Sequence, residues 1–424
     1  MRYLFDLDHW QEIAAALGKN RLRTFLTAFG VFWGIFLLVL LLGSGNGLSN
    51  GVMAGFSGTA TNSIFVWGMR TSKPFAGLDA GRSIDFTNAD VEALRRQVPE
   101  AEVIAPRLQK GGWRGGATAR RAGEVGAFNV MGDHPEIFTI QSMVLDRGRL
   151  LNRLDIAEAR KVAVIGTRAV ETLFERDEEP VGDAIEIDGV WFKVIGVFKS
   201  RQVGQQAERD AQTIYIPFST YQNAFNAANR VHWFAVTAKP RFGAAAVEAK
   251  VLDVLRTRHK VAPDDRRGIG SFNLEEEFGK VQGLFAGIHG LMWVVGLGTL
   301  TAGAIGVSNI MLIVVRERTQ EIGLRRAIGA TPGKVMMQIV VEAVILTSVA
   351  GFLGLAAGVG LMELISGVIP QSSDSGPAMF QNPGVSFQDA TQALTVLVLA
   401  GVVAGLIPAR RAVAVTPMVA LRSE

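Results

Sequence analysis

The chain has 424 residues, 49% of them hydrophobic, a mean hydropathy of +0.26, no cysteine and a formal net charge of +4. These values exclude a disordered chain, which would carry less apolar material and more net charge, and any disulfide scaffold or Cys-ligated zinc module. The hydropathy is too high for an ordinary soluble enzyme and too low for membrane helices throughout, because 43 Lys+Arg and 39 Asp+Glu need a wet environment. The small net charge argues only weakly for nucleic acid, which is not expected as a partner, and the placement of the basic residues matters more.

In chain order, residues 1–21 come first. Their core, Trp10 to Leu17, has helix-forming composition and an apolar face, expected either along the inner membrane surface or docked on a partner. No Asp, Glu, Lys or Arg lies between Arg23 and Arg70. A helix needs about 20 mostly apolar residues to cross a bilayer, so a first span is expected over 22–44. A cleaved leader is the other reading, but the run is long for one and twenty residues precede its positive flank. Gly43, Gly47, Gly51 and Gly55 then recur every four residues. On a helix they form a face that lets another helix approach closely. The same glycines weaken a helix, so 43–58 is expected to be partly irregular.

Residues 45–282 have soluble composition and read as an extracytoplasmic α+β domain with stalk segments. Strands are expected at Ser63–Trp67, Val103–Leu108, Lys161–Ile165, Asp183–Asp188, Trp191–Phe198, Thr213–Ile216 and His232–Thr237. Helices are expected after Thr87, at Thr167–Phe174 and at Phe242–His259. Lys110 to Gly123 is rich in Gly and Arg and fits an exposed hairpin or mobile loop better than an anion site.

Three further spans follow, at 283–315, 335–365 and 390–409. They are separated by a basic loop at 316–334 and a short outer loop at 366–389, and a tail runs from 410 to 424. The basic loop holds Arg316, Arg318, Arg325, Arg326 and Lys334, and the 366–389 loop has no Lys or Arg. Lys19, Arg21, Arg23, Arg410 and Arg411 flank the first and last spans. By the positive-inside rule the termini and the 316–334 loop are cytoplasmic and the large domain is outside. Gly354 with Gly358 and Gly401 with Gly405 repeat the four-residue spacing.

No catalytic constellation is visible. The five histidines show no HxxxH spacing, and no GxSxG elbow occurs. Gly329 to Lys334 lacks phosphate-loop spacing and contains a proline. No metal or cofactor is expected on the chain, and it carries no recognisable means of hydrolysing a nucleotide. The 316–334 loop is the most informative segment. Read as a helix, Glu321 and Arg325 are i,i+4 partners, and Ile322, Leu324 and Ile328 offer apolar contacts. Such mixed chemistry, held at the membrane surface by two spans, suits docking of a cytoplasmic partner. Glu342, near the inner end of the third span, is a membrane carboxylate and so a functional candidate by default; its position favours a link to the arginine-rich loop.

The run Glu317-Arg318-Thr319-Gln320-Glu321-Ile322-Gly323-Leu324-Arg325-Arg326-Ala327-Ile328-Gly329-Ala330-Thr331 resembles the signature of MacB/FtsX-type ABC transporter permeases, the type VII or mechanotransmission family. The C-terminal GLIPARRAVAVTPMVALR, the core VAVIGTRAVETLF with PVGDAIEIDGVWFKVIGVF, the later TIYIPF and the one-plus-three span layout are similar to the same family. The resemblance implies a membrane α-helical fold of four transmembrane helices in a 1+3 arrangement, with a large α+β extracytoplasmic MacB-like core domain. It implies a dimer with a second copy or a paralogue, and a cytoplasmic ABC ATPase subunit, binding ATP and Mg, as a separate chain. Arg316, Glu317, Arg318, Glu321, Ile322, Gly323, Arg325, Arg326, Ala327, Gly329 and Ala330 are then the ATPase-coupling residues. The expected role is ATP-driven export from the bacterial inner membrane, with a periplasmic adaptor and outer-membrane channel as further partners. A lipoprotein-releasing permease and a non-transporting regulator of a cell-wall hydrolase are the alternatives.

Overall fold

The computed structural model describes residues 21–56, 58–112, 115–141, 143–201, 205–368 and 380–414. The amphipathic segment expected at 1–21 lies outside them except for its last residue, as do residues 369–379 of the expected 366–389 loop and 415–424 of the C-terminal tail. The described chain starts with helix α1 (Arg21–Ala54). An α+β part follows: β1 (Ser63–Gly68), α2 (Asn88–Gln97), β2 (Ala101–Gly112), β3 (Gly115–Arg121), β4 (Glu124–Asp133), α3 (Ile137–Ile140), β5 (Met143–Gly148), α4 (Arg153–Ala157), β6 (Val162–Gly166) and α5 (Thr167–Leu173). It continues through β7 (Ala184–Ile187), β8 (Val190–Ser200), α6 (Gln205–Ala211), β9 (Thr213–Pro217), α7 (Phe218–Ala224), β10 (Trp233–Ala238), α8 (Ala244–His259) and β11 (Ile269–Asn273). Then come α9 (Leu274–Glu317), the short α10 (Thr319–Ala327), α11 (Pro332–Val368) and α12 (Phe387–Ala414). The chain divides into a helical unit and an α+β unit, joined through α1 and α9.

In the helical unit, α1, α9, α11 and α12 are the four described helices long and apolar enough to cross a membrane. At 34 and 44 residues, α1 and α9 measure about 51 and 66 Å, well beyond the ~30 Å hydrocarbon layer. Glycines set their packing. A Cβ on Gly303 would lie 3.2 Å from the Gly30 carbonyl oxygen, and one on Gly354 would lie 2.5 Å from that of Phe32. Gly358 receives Val39, and Gly401 and Gly405 receive Thr347, Ala343 and Val340. Close backbone approach of this kind replaces the hydrophobic drive that is absent between helices in lipid.

The expected irregularity after Gly43 does not occur before Ala54: α1 runs unbroken through Gly43, Gly47 and Gly51. Tertiary contact offsets the weak propensity of glycine. The Cβ position of Gly43 lies 2.8 Å from the Met362 sulfur, and that of Gly47 lies 2.8 Å from the Phe380 ring. The Gly47 carbonyl also accepts the Gln381 amide at 2.9 Å, and Asn46 Nδ2 donates to the Gly384 carbonyl at 3.0 Å. Gly51 is buried, whereas Gly55 follows the helix end and meets only the Val52 carbonyl of its own turn.

The α+β unit is built on an eleven-stranded sheet in the order β11-β1-β10-β2-β3-β4-β9-β6-β8-β5, with β7 bridging β3 and β8. Most pairs are antiparallel; β4–β9 and β6–β8 are parallel. Ile64, Leu108, Val130, Ile165, Ile214 and Phe234 meet α2, α5 and α8 in one apolar core. Within the Gly/Arg-rich 110–123 segment, residues 110–112 end β2 and 115–121 form β3, and the two strands pair antiparallel. The segment's Arg121 is not an exposed cation: the guanidinium pairs with Glu178 and Asp183 and lies 4.2 Å from the Phe174 ring centre. β4, β5 and β11 had no sequence signal strong enough to be expected, because glycine and charge interrupt their alternation.

Candidate functional site

The site is the junction of α9, α10 and α11. Helix α9 ends at Glu317, and Arg318, at φ −99° and ψ 16°, starts α10. Gly329 adopts φ +107°, the left-handed turn that glycine permits after a helix. Ala330 N there donates to the Arg325 carbonyl at 3.0 Å, which satisfies one of the last carbonyls of α10. Thr331 accepts from the Lys334 amide at 3.0 Å and Pro332 opens α11, a position where its missing N–H costs nothing.

Three arginines tie α10 to its neighbours. Arg325 donates to Glu321 Oε1 at 2.9 Å and to Gln338 Oε1 on α11 at 3.1 Å. Arg326 donates to the Val413 carbonyl on α12 at 2.7 Å. Arg318 lies 3.7 Å from Glu342 Oε2, and that carboxylate is buried on α11. Beside these groups a cavity of about 30 Å³ is lined by Met311, Arg318, Ile322, Arg325, Gln338 and Glu342, about the space for one water. The membrane carboxylate therefore faces the arginine-rich loop.

The two faces of α10 differ. Gly323 is buried, and Ile322 and Ala330 pack against the apolar core of the helical unit. Arg316, Glu317, Glu321, Ala327 and Gly329 are exposed. So are Leu324 and Ile328, at 51% and 78% of their full accessibility. Leu324 and Ile328 are i,i+4 neighbours and form an apolar spot ringed by charge. The sequence offers Ile322, Leu324 and Ile328 alike as apolar contacts, and the family resemblance adds only Ile322 to the coupling residues. Counting by three and four from Ile322 reaches Arg326, whereas counting from Gln320 reaches Leu324, Ala327 and Ile328, and only the fold decides which face is outward. Among the described residues no group of three or more His, Asp or Glu could hold a metal ion.

The family described as "MacB-like periplasmic core domain" matches residues 24–254, more than half of the chain, and "FtsX-like permease C-terminal" matches residues 293–417. The chain belongs to the MacB/FtsX-like ABC transporter permease family. The macrolide export ATP-binding/permease protein MacB of Vibrio parahaemolyticus is 27% identical over 418 residues, 99% of this chain and 60% of that protein. The protein of the same name from Agrobacterium fabrum is 29% identical over 413 residues, 97% of this chain and 60% of that protein. This permease thus spans about 60% of the length of the curated relatives it matches. Among solved structures, the periplasmic region of MacB from Actinobacillus actinomycetemcomitans aligns with a TM-score of 0.43 at 18% identity, covering 53% of this chain and 94% of that one. The four apolar helices with the α+β core domain are the fold expected of such a permease.

Proposed function

We propose that the chain is the membrane component of an ATP-driven exporter, in which an ABC ATPase unit docks on the outward face of α10. The observation that carries this is the pairing of an exposed apolar spot, Leu324 and Ile328, with polar links from α10 and its N-terminal Arg318 to α11 and α12 through Arg325, Arg326 and Arg318. A load applied to Leu324 and Ile328 reaches two spans through polar contacts and a third, α9, through the chain. ATP and Mg belong to the docked ATPase. Family membership supports such a partner, and the names of the relatives support export.

The setting we propose is the bacterial inner membrane, with α10 and both termini cytoplasmic and the core domain periplasmic. The placement of Lys and Arg beside the spans supports it. Two permease chains act together, and a periplasmic adaptor with an outer-membrane channel completes the export path. Orientation is tested with single cysteines, since the chain has none of its own. Trp191 and Ile328 are both exposed. A membrane-impermeant maleimide should label Trp191→Cys in spheroplasts and Ile328→Cys only in inverted vesicles; the reverse pattern overturns the arrangement.

A further inference from the structure

The two faces of the sheet in the α+β unit are chemically unlike. Leu108, Val130, Ile214 and Phe234 are fully buried in the main core. Their neighbours in sequence face the other way, and the register sets them side by side. Trp233 on β10 opposes Arg107 on β2, Gln109 on β2 opposes Met131 on β4, and Met131 opposes Tyr215 on β9. This second face floors a cavity of about 560 Å³, with α6 and Gln141 at its walls. That volume is within the range of small-ligand sites, about 300–1,000 Å³.

Five amides line the cavity, Gln109, Asn129, Gln141, Gln206 and Gln212, beside the charged groups of Arg107, Arg209 and Asp210. Gln109 Nε2 donates to Asn129 Oδ1 at 2.9 Å, which leaves Gln109 Oε1 and Asn129 Nδ2 without a partner among the described residues. A donor and an acceptor therefore stand next to each other. Gln141 Oε1 accepts the Tyr215 hydroxyl at 3.3 Å on the far wall. The buried charge is compensated: Arg107 donates twice to Asp133, at 2.6 and 2.7 Å, and both side chains are buried. Asp210 accepts from Ser200 Oγ at 2.6 Å and from Gln206 Nε2 at 3.1 Å. The strands of the floor are interior strands paired on both sides, so no free edge is offered to an extended peptide. Tyr215 is buried against Phe138 and Phe198, so the aromatic surface on offer is that of the half-buried Trp233, whose ring centre lies 4.3 Å from the Arg107 guanidinium. One such ring beside neutral amides suits a ligand ring that has apolar C–H faces and a rim of hydroxyls.

We propose that this cavity binds an uncharged sugar unit, held by Gln109, Asn129 and Gln141 over Trp233 on the floor. The inference is independent of the coupling role assigned to α10.

The test is saturation-transfer NMR on the full chain in lipid nanodiscs, because a maltoside detergent would itself compete. The probes are chitobiose, maltose and the neutral tripeptide Ala-Gln-Ala. At least one disaccharide should give a saturable signal. Asn129→Ala should weaken it about tenfold, the loss of one well-placed hydrogen bond. Gln206→Trp, which fills the mouth from α6, should abolish it without lowering the melting temperature. If either variant melts early, Gln141→Ala on the opposite wall replaces it. Absence of saturable binding by both disaccharides to protein that melts normally overturns the proposal, as does a signal that none of these variants changes. Saturable binding of the tripeptide alone overturns the sugar assignment.

Discussion

Replacing Leu324 and Ile328 by alanine isolates the docking step, because Ile328 is mostly and Leu324 about half exposed. Fully burying a Leu or Ile side chain is worth about 1.5–3 kcal/mol. Taking ~2.5 kcal/mol, scaled by exposures of 78% and 51%, gives about 2 kcal/mol for Ile328 and ~1.3 kcal/mol for Leu324. Alanine keeps part of that area and association has its own entropy cost, so about 2–3 kcal/mol is the ceiling. That corresponds to a 30- to 150-fold weaker ATPase association at about 1.4 kcal/mol per decade. Surface changes of this type alter folding stability by roughly 0.5 kcal/mol or less. The assay is titration of the ATPase unit against nanodisc-embedded permease, with a thermal melt beside it. An affinity unchanged within about threefold, with normal melting, would refute the docking face.

Other outcomes follow from the same structure. The double change Glu321→Arg plus Arg325→Glu keeps an i,i+4 ion pair, in the less favourable order, and a glutamate at 325 can accept from Gln338. Insertion should be normal while substrate-dependent ATP turnover is disturbed, and normal turnover would sink the coupling role of this pair. Gly354→Leu places a side chain against the Phe32 carbonyl oxygen, 2.5 Å from the Cβ position. It should separate α1 from α11 and lower the melting temperature by several degrees, whereas Gly360→Leu, with nothing within 4 Å, should not.

His134 gives a pH prediction. Burial beside Phe218 pushes its pKa down from 6.5 to about 4. The unfolded chain then binds a proton below pH 6.5 that the folded domain refuses until about pH 4, so stability falls as pH drops through that window. Between pH 7.5 and 5 the loss is about 2 kcal/mol, or roughly 4–8 °C in a domain of this size. His134→Phe should remove that part of the acid sensitivity in melts compared across pH; an unchanged slope would show that another group is responsible.

The parts of the chain differ in how readable they were. Four apolar runs are visible because the bilayer demands length and composition, and nothing else in the sequence mimics 20 uncharged residues. The strands Ser63–Gly68, Val162–Gly166 and Thr213–Pro217 are visible as short β-branched runs. β4 is not, since EVGAFNVMGD lacks clean alternation and is held by neighbours on both sides. The glycines of α1 were misleading for a similar reason. Propensity predicts weakness where Met362, Phe380 and Pro383, more than three hundred positions away, supply the contacts.

The sequence by itself determined the number of spans, the place of the α+β domain and the identity of the charged loop, because these depend on local composition and on a motif that is contiguous in the chain. Tertiary structure decided which side of each element is used. It turned Ile322 inward and left Leu324 and Ile328 outward. It joined Arg318 to Glu342 across 24 positions, and it set Trp233, Arg107 and Tyr215 on one face of a sheet. A residue's direction depends on what packs against it, and those partners come from parts of the chain that no local window contains.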